Sequence, residues 1–239
     1  YKLITNRMNY KKTINKDLYM LISTSGSTGS KKQVMLTKKN LISNTMSIIK
    51  DLGVNSEDIC ITTLPPSYVY GMSIINTHLF SGAKILLNKS SIIEKEFWNK
   101  IRKFNVTNFG GVPYTYELIH KYFLKKENFQ KIRYITQAGG FLSDKIKLEI
   151  ITFLAKFHKK FITMYGAAEG TARLSYLPWE SALKKNGSIG IAISGGNFSI
   201  VDTKGTEIKN PYQVGELVYK GENVFLGYSN SYKDLNNKK

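Results

Sequence analysis

Cysteine, arginine and long apolar runs are scarce in this 239-residue sequence. Cys60 is the single cysteine, so neither an intrachain disulfide nor a cysteine-rich metal site can be built. No apolar run approaches the roughly 18 to 20 residues that span a bilayer, and no charged segment with a short apolar stretch behind it opens the chain. No membrane span and no export are therefore expected, and a reducing cytoplasm fits. Arginine supplies only Arg7, Arg102, Arg133 and Arg173 among 35 basic residues, which face 17 acidic ones for a formal charge of +18. An excess of that size raises the question of nucleic acid. Yet the rest are lysines in scattered pairs such as Lys11 and Lys12, Lys125 and Lys126, or Lys184 and Lys185, where a groove for phosphates would use forked arginine donors. The charge reads as solvated surface, and no nucleic-acid partner is expected.

What is present is enough apolar material, 42% of residues with 12% aromatic, to bury a sizeable core. Short β-branched or aromatic runs alternate with longer amphipathic ones from Leu18 to Tyr165. Strands are expected over Leu18 to Thr24, Asp58 to Leu64, Lys84 to Leu87, Thr107 to Phe109, Ile132 to Thr136 and Phe161 to Tyr165. Between them lie expected helices. One runs from Lys38 to Leu52 with Thr37 as its N-cap and Gly53 just beyond its end. Another, Ile92 to Phe104, puts Ile93, Phe97, Ile101 and Phe104 on one face; a third starts at Pro113 and a fourth at Ser143. The fold class is α/β: a largely parallel sheet flanked by helices, followed by a small β-rich subdomain. In boundaries, residues 1–16 form a polar N-terminal segment, 17–172 the α/β core with its phosphate loop, 173–230 the β-rich part and 231–239 a polar tail.

The stretch richest in chemistry follows the first strand: S-T-S-G-S-T-G-S-K-K-Q-V, Ser23 to Val34. Gly26 and Gly29 allow close approach, Ser25, Ser27 and Thr28 supply donors, and a lysine supplies charge, a set suited to a polyphosphate. Taken alone, it could equally be a flexible Ser/Gly loop. It is not a Walker loop, because two residues rather than four separate its glycines and Gln33 follows Lys32. The spacing of the dinucleotide motif is absent too.

This loop resembles the phosphate-binding signature of the adenylate-forming (AMP-binding) ligases, which include acyl-CoA synthetases, nonribosomal peptide synthetase adenylation domains and luciferase. The likeness sets Thr24, Ser25, Gly26, Ser27, Thr28 and Gly29 on the family's loop and Lys32 on its lysine. Lys31 and Gln33 stand where the family usually has proline and glycine. Four further segments are similar in the same order. L-P-P-S-Y-V-Y-G, Leu64 to Gly71, resembles the lead into the acid-pocket helix, and Q-A-G-G-F-L-S, Gln137 to Ser143, the turn that lies against adenine. M-Y-G-A-A-E, Met164 to Glu169, resembles the Y-G-x-T-E motif, with Ala168 at the usual threonine and Thr171 as a nearby substitute. Gly215 to Tyr228 resembles the strand pair that closes the large domain. Taken singly, Tyr68, Tyr70 and Tyr165 could be core aromatics, Glu169 a surface carboxylate and Gly139-Gly140 a tight turn. Five matches in order make coincidence a poor account. His78, His120 and His158 match no motif and no metal-ligand spacing, and read as structural or surface residues.

The resemblance implies attack of a carboxylate on the α-phosphate of ATP, giving an acyl adenylate and pyrophosphate. It implies phosphate binding by Lys32 and the loop, Mg²⁺ on Glu169, and adenine against Gly139, Gly140, Phe141, Tyr165 and Gly166. Tyr68, Gly71, Val112 and Gly166 are the implied acid pocket, and the acyl acceptor would be CoA or the phosphopantetheine of an acyl carrier protein. The family's T-G-D segment, lysine-bearing terminal domain and long N-terminal region are not found in these residues, and Asp202 does not fit the T-G-D role. The chain is therefore expected to be a central fragment of the large domain, poor at adenylation by itself. The alternative is a catalytically incompetent remnant or a basic binding module.

Overall fold

The computed structural model describes residues 14–23, 32–124 and 129–236. The first two strands, β1 (Leu18–Ser23) and β2 (Gln33–Thr37), form an antiparallel pair. β1 alternates half-buried with exposed side chains, Tyr19 and Leu21 among the latter. That is the pattern of a strand with one wet face, and it keeps β1 out of the parallel sheet, whose strands are covered on both sides. The helix α1 (Lys38–Leu52) follows β2 directly. Its start is fixed by a reciprocal pair, Asn40 N–H donating to Thr37 Oγ1 at 2.9 Å and Thr37 N–H to Asn40 Oδ1 at 2.8 Å. Gly53 ends it in the left-handed region at φ 64°. Thr37→Ala is expected to lower stability by about 1 kcal/mol in urea unfolding, and a loss below about 0.3 kcal/mol would show that the cap does not hold this helix start.

The chain then winds a seven-stranded sheet. Its elements are β3 (Ile59–Ile61), α2 (Val69–Phe80), β4 (Lys84–Leu86), α3 (Lys95–Lys103) and β5 (Asn108–Gly111). They continue with α4 (Pro113–Leu118), which widens into a π turn over Ile119–Phe123, then β6 (Tyr134–Gln137), α5 (Asp144–Ala155) and β7 (Lys160–Tyr165). Two short antiparallel strands, β8 (Ser175–Tyr176) and β9 (Ile191–Ala192), extend the edge. The spatial order is β4-β3-β5-β6-β7-β8-β9, and the first five strands are parallel. Beyond them β10 (Asn197–Val201) and β11 (Glu216–Lys220) make a separate hairpin, while β12 (Gly227–Ser229) returns to pair with β2. The strands after residue 172 are thus shared among three sheets.

Successive residues of a strand face opposite sides, and the helices divide accordingly. Ile135 and Phe161 pack with α3, α4 and α5 around Trp98 and Tyr116, whereas their neighbours Tyr134 and Ile162 pack with α1 and α2 around Tyr70. The buried face of α3 is Phe97, Trp98 and Ile101; Ile93 and Phe104, expected on that face from spacing, lie outside the helix and are exposed. The reason is local. The Trp98 indole N–H donates to the Ile92 carbonyl at 2.9 Å, which ties down the segment before the helix and delays its start to Lys95.

Candidate functional site

From β3 the sheet grows in two directions, to β4 on one side and through β5, β6 and β7 on the other. In open α/β sheets, the crevice outside the carboxyl ends near such a reversal is where ligands bind. An open cleft of about 590 Å³ lies outside the carboxyl ends of β6 and β7, lined by Tyr68, Val69 and Tyr70 from the lead into α2, by Gln137 to Leu142 after β6, and by Thr163 to Glu169 along and after β7. Ser23, at the end of β1, also faces it.

The turn after β6 is shaped by the absence of side chains. Gly139 has φ +85°, and a Cβ there would stand 2.5 Å from the Tyr68 hydroxyl and 3.3 Å from Val112. The Gln137 side-chain amide closes the turn by donating to the Gly140 carbonyl at 3.0 Å. Phe141 leaves the turn 79% exposed at the cleft, with the Lys147 ammonium 5.8 Å from its ring centroid. Below the floor, Tyr70 is buried with its hydroxyl at 2.9 Å from the Thr136 carbonyl, and burial pushes its pKa up to about 12. Burial raises Tyr68 too. Both phenols are neutral at physiological pH and act as shape and hydrogen-bonding groups.

At the far wall, β7 ends in half-exposed Tyr165, and Gly166 opens a tight turn. Ala167 accepts from Gly170 N–H at 3.0 Å and from Ala172 N–H at 3.2 Å. Two asparagines clamp the exit. Asn44 donates to the Arg173 carbonyl at 2.8 Å, and Asn223 donates to the Gly170 carbonyl at 2.8 Å and to the Arg173 carbonyl at 3.1 Å. Ala168, buried, has no hydroxyl to offer. Thr171 does not replace it: its side chain is buried, sits outside the cleft lining, and donates to the Asn223 carbonyl at 2.6 Å.

Glu169 is the one carboxylate lining the cleft among the described residues. Its Oε1 accepts from the Tyr228 hydroxyl at 2.7 Å, and its backbone carbonyl accepts from Phe225 N–H at 2.9 Å. This hydrogen bond to Glu169 is the main reason why the Tyr228 phenol is harder to ionise than usual. The ammonium of Lys32 lies over the same ring, 3.5 Å from its centroid, a contact worth about 0.5–1 kcal/mol at a partly exposed site. Sequence reasoning missed Tyr228 as a site residue. It ended a quoted motif, but the register Tyr228 to Val34 that brings it beside Lys32 is a long-range pairing. Lys147 was missed as well: it lines the cleft, almost buried, donating to the Asn186 carbonyl at 2.7 Å and paired with Asp144 at 2.9 Å.

Of the residues singled out from sequence, Tyr68, Gly139, Gly140, Phe141, Tyr165, Gly166 and Glu169 line this one cleft. Lys32 is off the lining and is linked to it only through Tyr228, which its ammonium covers and which donates to Glu169. Val112 stands behind Gly139, and Gly71 is buried where α2 packs on the Pro65 carbonyl, off the lining. Thr24, Ser25, Gly26, Ser27, Thr28 and Gly29 lie outside the described residues. Among the described residues no three His, Cys, Asp or Glu side chains gather as a metal site. A single carboxylate fits Mg²⁺ that arrives on a nucleotide, since that ion keeps waters and phosphates as most of its ligands. Of the histidines, His78 donates from Nδ1 to the Ile74 carbonyl at 2.7 Å with its pKa lowered by burial, and His120 pairs with Glu149 at 2.6 Å.

Comparison with known proteins gives these features a context. A model of the AMP-binding enzyme family matches residues 6–229. The chain is 29% identical over 220 residues to an oxalate–CoA ligase of Arabidopsis thaliana, covering 89% of this chain and 41% of that protein. It is 29% identical over 224 residues to a long-chain-fatty-acid–CoA ligase of Bacillus subtilis, covering 90% of this chain and 38% of the relative. Among solved structures, o-succinylbenzoate coenzyme A synthetase from Bacillus subtilis, in complex with ATP and magnesium ion, superposes with a TM-score of 0.77 at 24% identity. That match covers 89% of this chain and 43% of the synthetase, and it establishes a common fold. The chain spans well under half the length of each.

Proposed function

The chain belongs to the AMP-binding enzyme family, and from that premise we propose that it forms the nucleotide- and acid-binding part of an ATP-dependent carboxylic acid ligase. The reaction is acyl-adenylate formation. A carboxylate oxygen attacks the α-phosphorus, the bond from that phosphorus to the bridging oxygen breaks, and pyrophosphate leaves. The carboxylate is already ionised at neutral pH, so no general base is needed. The barrier lies in bringing an anion onto a polyanion, which is overcome by positioning and by charge neutralisation.

In this reading Lys32 and the Thr24 to Gly29 loop hold the β- and γ-phosphates, and Glu169 would hold Mg²⁺ delivered with ATP, which neutralises phosphate charge. Gly139, Gly140, Phe141, Tyr165 and Gly166 receive adenine, flat surfaces and bare backbone being what a planar base requires. Tyr68 and Val112 border the acid, and Gly71 serves it indirectly by letting the Leu64 to Tyr68 segment close on α2. CoA is the acceptor that the named relatives favour; carrier-protein phosphopantetheine is the other. A cytoplasmic setting suits the free, buried thiol of Cys60.

The observation that carries the reading is the convergence of seven motif residues from three separate segments on one cleft at the carboxyl ends of the strands. Titration of ATP with and without Mg²⁺ tests it. Binding is expected to strengthen with Mg²⁺, and Lys32→Ala is expected to weaken it about tenfold, the scale of one charge-assisted contact. ATP affinity indifferent to both would overturn the assignment. A basic nucleic-acid module would instead bind oligonucleotides with a steep salt dependence.

A further inference from the structure

The Lys32, Tyr228 and Glu169 side chains come from three elements that meet only in the folded chain. Lys32 immediately precedes β2, Tyr228 lies on β12, and Glu169 lies in the turn after β7. The meeting is held from several sides. β12 pairs with β2 so that Tyr228 stands opposite Val34 and Ser229 opposite Gln33, next to Lys32. The segment before β12 is stitched to the Glu169 turn by Phe225 N–H on the Glu169 carbonyl at 2.9 Å and by Thr171 on the Asn223 carbonyl at 2.6 Å. Phe225 also packs edge-on against the Tyr228 ring, with centroids 4.8 Å apart, and so limits its tilt.

A tyrosine in this place combines two things. Its π face attracts a cation, and its hydroxyl donates to a carboxylate in the plane of the ring. Lys32 and Glu169 are of opposite charge, and a direct pair between them would be a contact that an incoming nucleotide has to break. Among the described residues they form no ion pair with each other; each is engaged by Tyr228 instead.

We propose that Tyr228 is a positioning residue for nucleotide binding, its ring carrying the Lys32 ammonium and its hydroxyl orienting the Glu169 carboxylate, so that both charges are set before the nucleotide and its metal arrive. This rests on the ligase reading, in which Lys32 meets phosphate and Glu169 meets Mg²⁺. It adds the third residue that organises them. Ordering these side chains in advance lowers what binding must spend on ordering them.

The test is calorimetric titration of ATP onto the chain across a range of Mg²⁺ concentrations, with melting temperature followed in parallel to separate loss of packing between β12 and β2. Tyr228→Phe keeps the ring and removes the donor; it is expected to raise the Mg²⁺ concentration for half-maximal ATP binding by about three- to tenfold. Tyr228→Leu removes both and is expected to raise it as far, and in addition to weaken Mg²⁺-free ATP binding by about threefold. Lys32→Ala and Glu169→Gln are the references. If Glu169→Gln moves the Mg²⁺ dependence and Tyr228→Phe does not, the positioning role is overturned while the ligase reading stands. If neither reference variant alters ATP binding, the ligase reading fails and this inference fails with it.

Discussion

Asp58→Ala is expected to destabilise the fold by about 2 to 4 kcal/mol, the cost of taking a buried acceptor away from the donors arranged around it. Asp58 is fully buried at the amino end of β3. Its Oδ1 accepts from Arg133 at 2.6 Å and from the Thr107 hydroxyl at 2.7 Å, and its Oδ2 from Asn55 N–H at 3.1 Å. Arg133 and Thr107 lead into β6 and β5, so one carboxylate ties the entry of three parallel strands. Removal leaves a guanidinium, a hydroxyl and an amide without the acceptor around which they are arranged. At about 2–4 °C per kcal/mol for a chain of this size, the melting temperature should fall by about 10 °C, and the urea midpoint should fall with it. Asp58→Asn keeps an oxygen acceptor and should lose less. A loss below about 1 kcal/mol for Asp58→Ala would mean that the exposed half of the pair, Arg133, leaves the site solvated enough to repair itself. The cleft lies at the opposite, carboxyl edge of the sheet, so ATP affinity of the folded protein should be spared.

That division, with stability at one edge and ligand contacts at the other, was only half legible in the sequence. The cleft-lining turns could be read because their chemistry is local: Gly139 needs a positive φ and no side chain, and a Gly-Gly pair after a β-branched run announces such a turn. The helix α1 could be read from Thr37 to Gly53 because caps are local too. Periodicity did less well for α3, where a tryptophan hydrogen bond six residues back shifted the helix start and replaced Ile93 and Phe104 by Trp98 on the buried face. It could not give β12 its partner. β12 joins β2, and pairing across about two hundred residues leaves no spacing signal within either strand. The same limit hid Tyr228 from view, and it made Thr171 look available when its hydroxyl is already committed to Asn223.

Gly166→Ala is expected to reduce ATP affinity by about ten- to a hundredfold, the scale of one or two lost hydrogen-bonding contacts. A methyl on Gly166 would run into the Ala172 carbonyl, far inside any tolerated contact, and the obstacle is backbone rather than a side chain that can swing away. The turn has little freedom to yield. Thr171 and Ala172 already occupy positive φ, at 56° and 101°, a conformation that costs side-chain-bearing residues about 1–3 kcal/mol each. Asn44 and Asn223 hold the Gly170 and Arg173 carbonyls on either side of them. The displacement must therefore pass to the start of the turn, where Tyr165 and Glu169 face the cleft. A stability loss of about 1–3 kcal/mol should accompany it. Gly187→Ala is the matched comparison. It lines the same cleft, but its added methyl would have Asp144 at 3.7 Å as its nearest neighbour, so affinity should stay within about twofold of wild type. Equal ATP affinities for the two variants would mean that the backbone at Gly166 takes no part in receiving the nucleotide, and the adenine side of the proposed site would have to be moved.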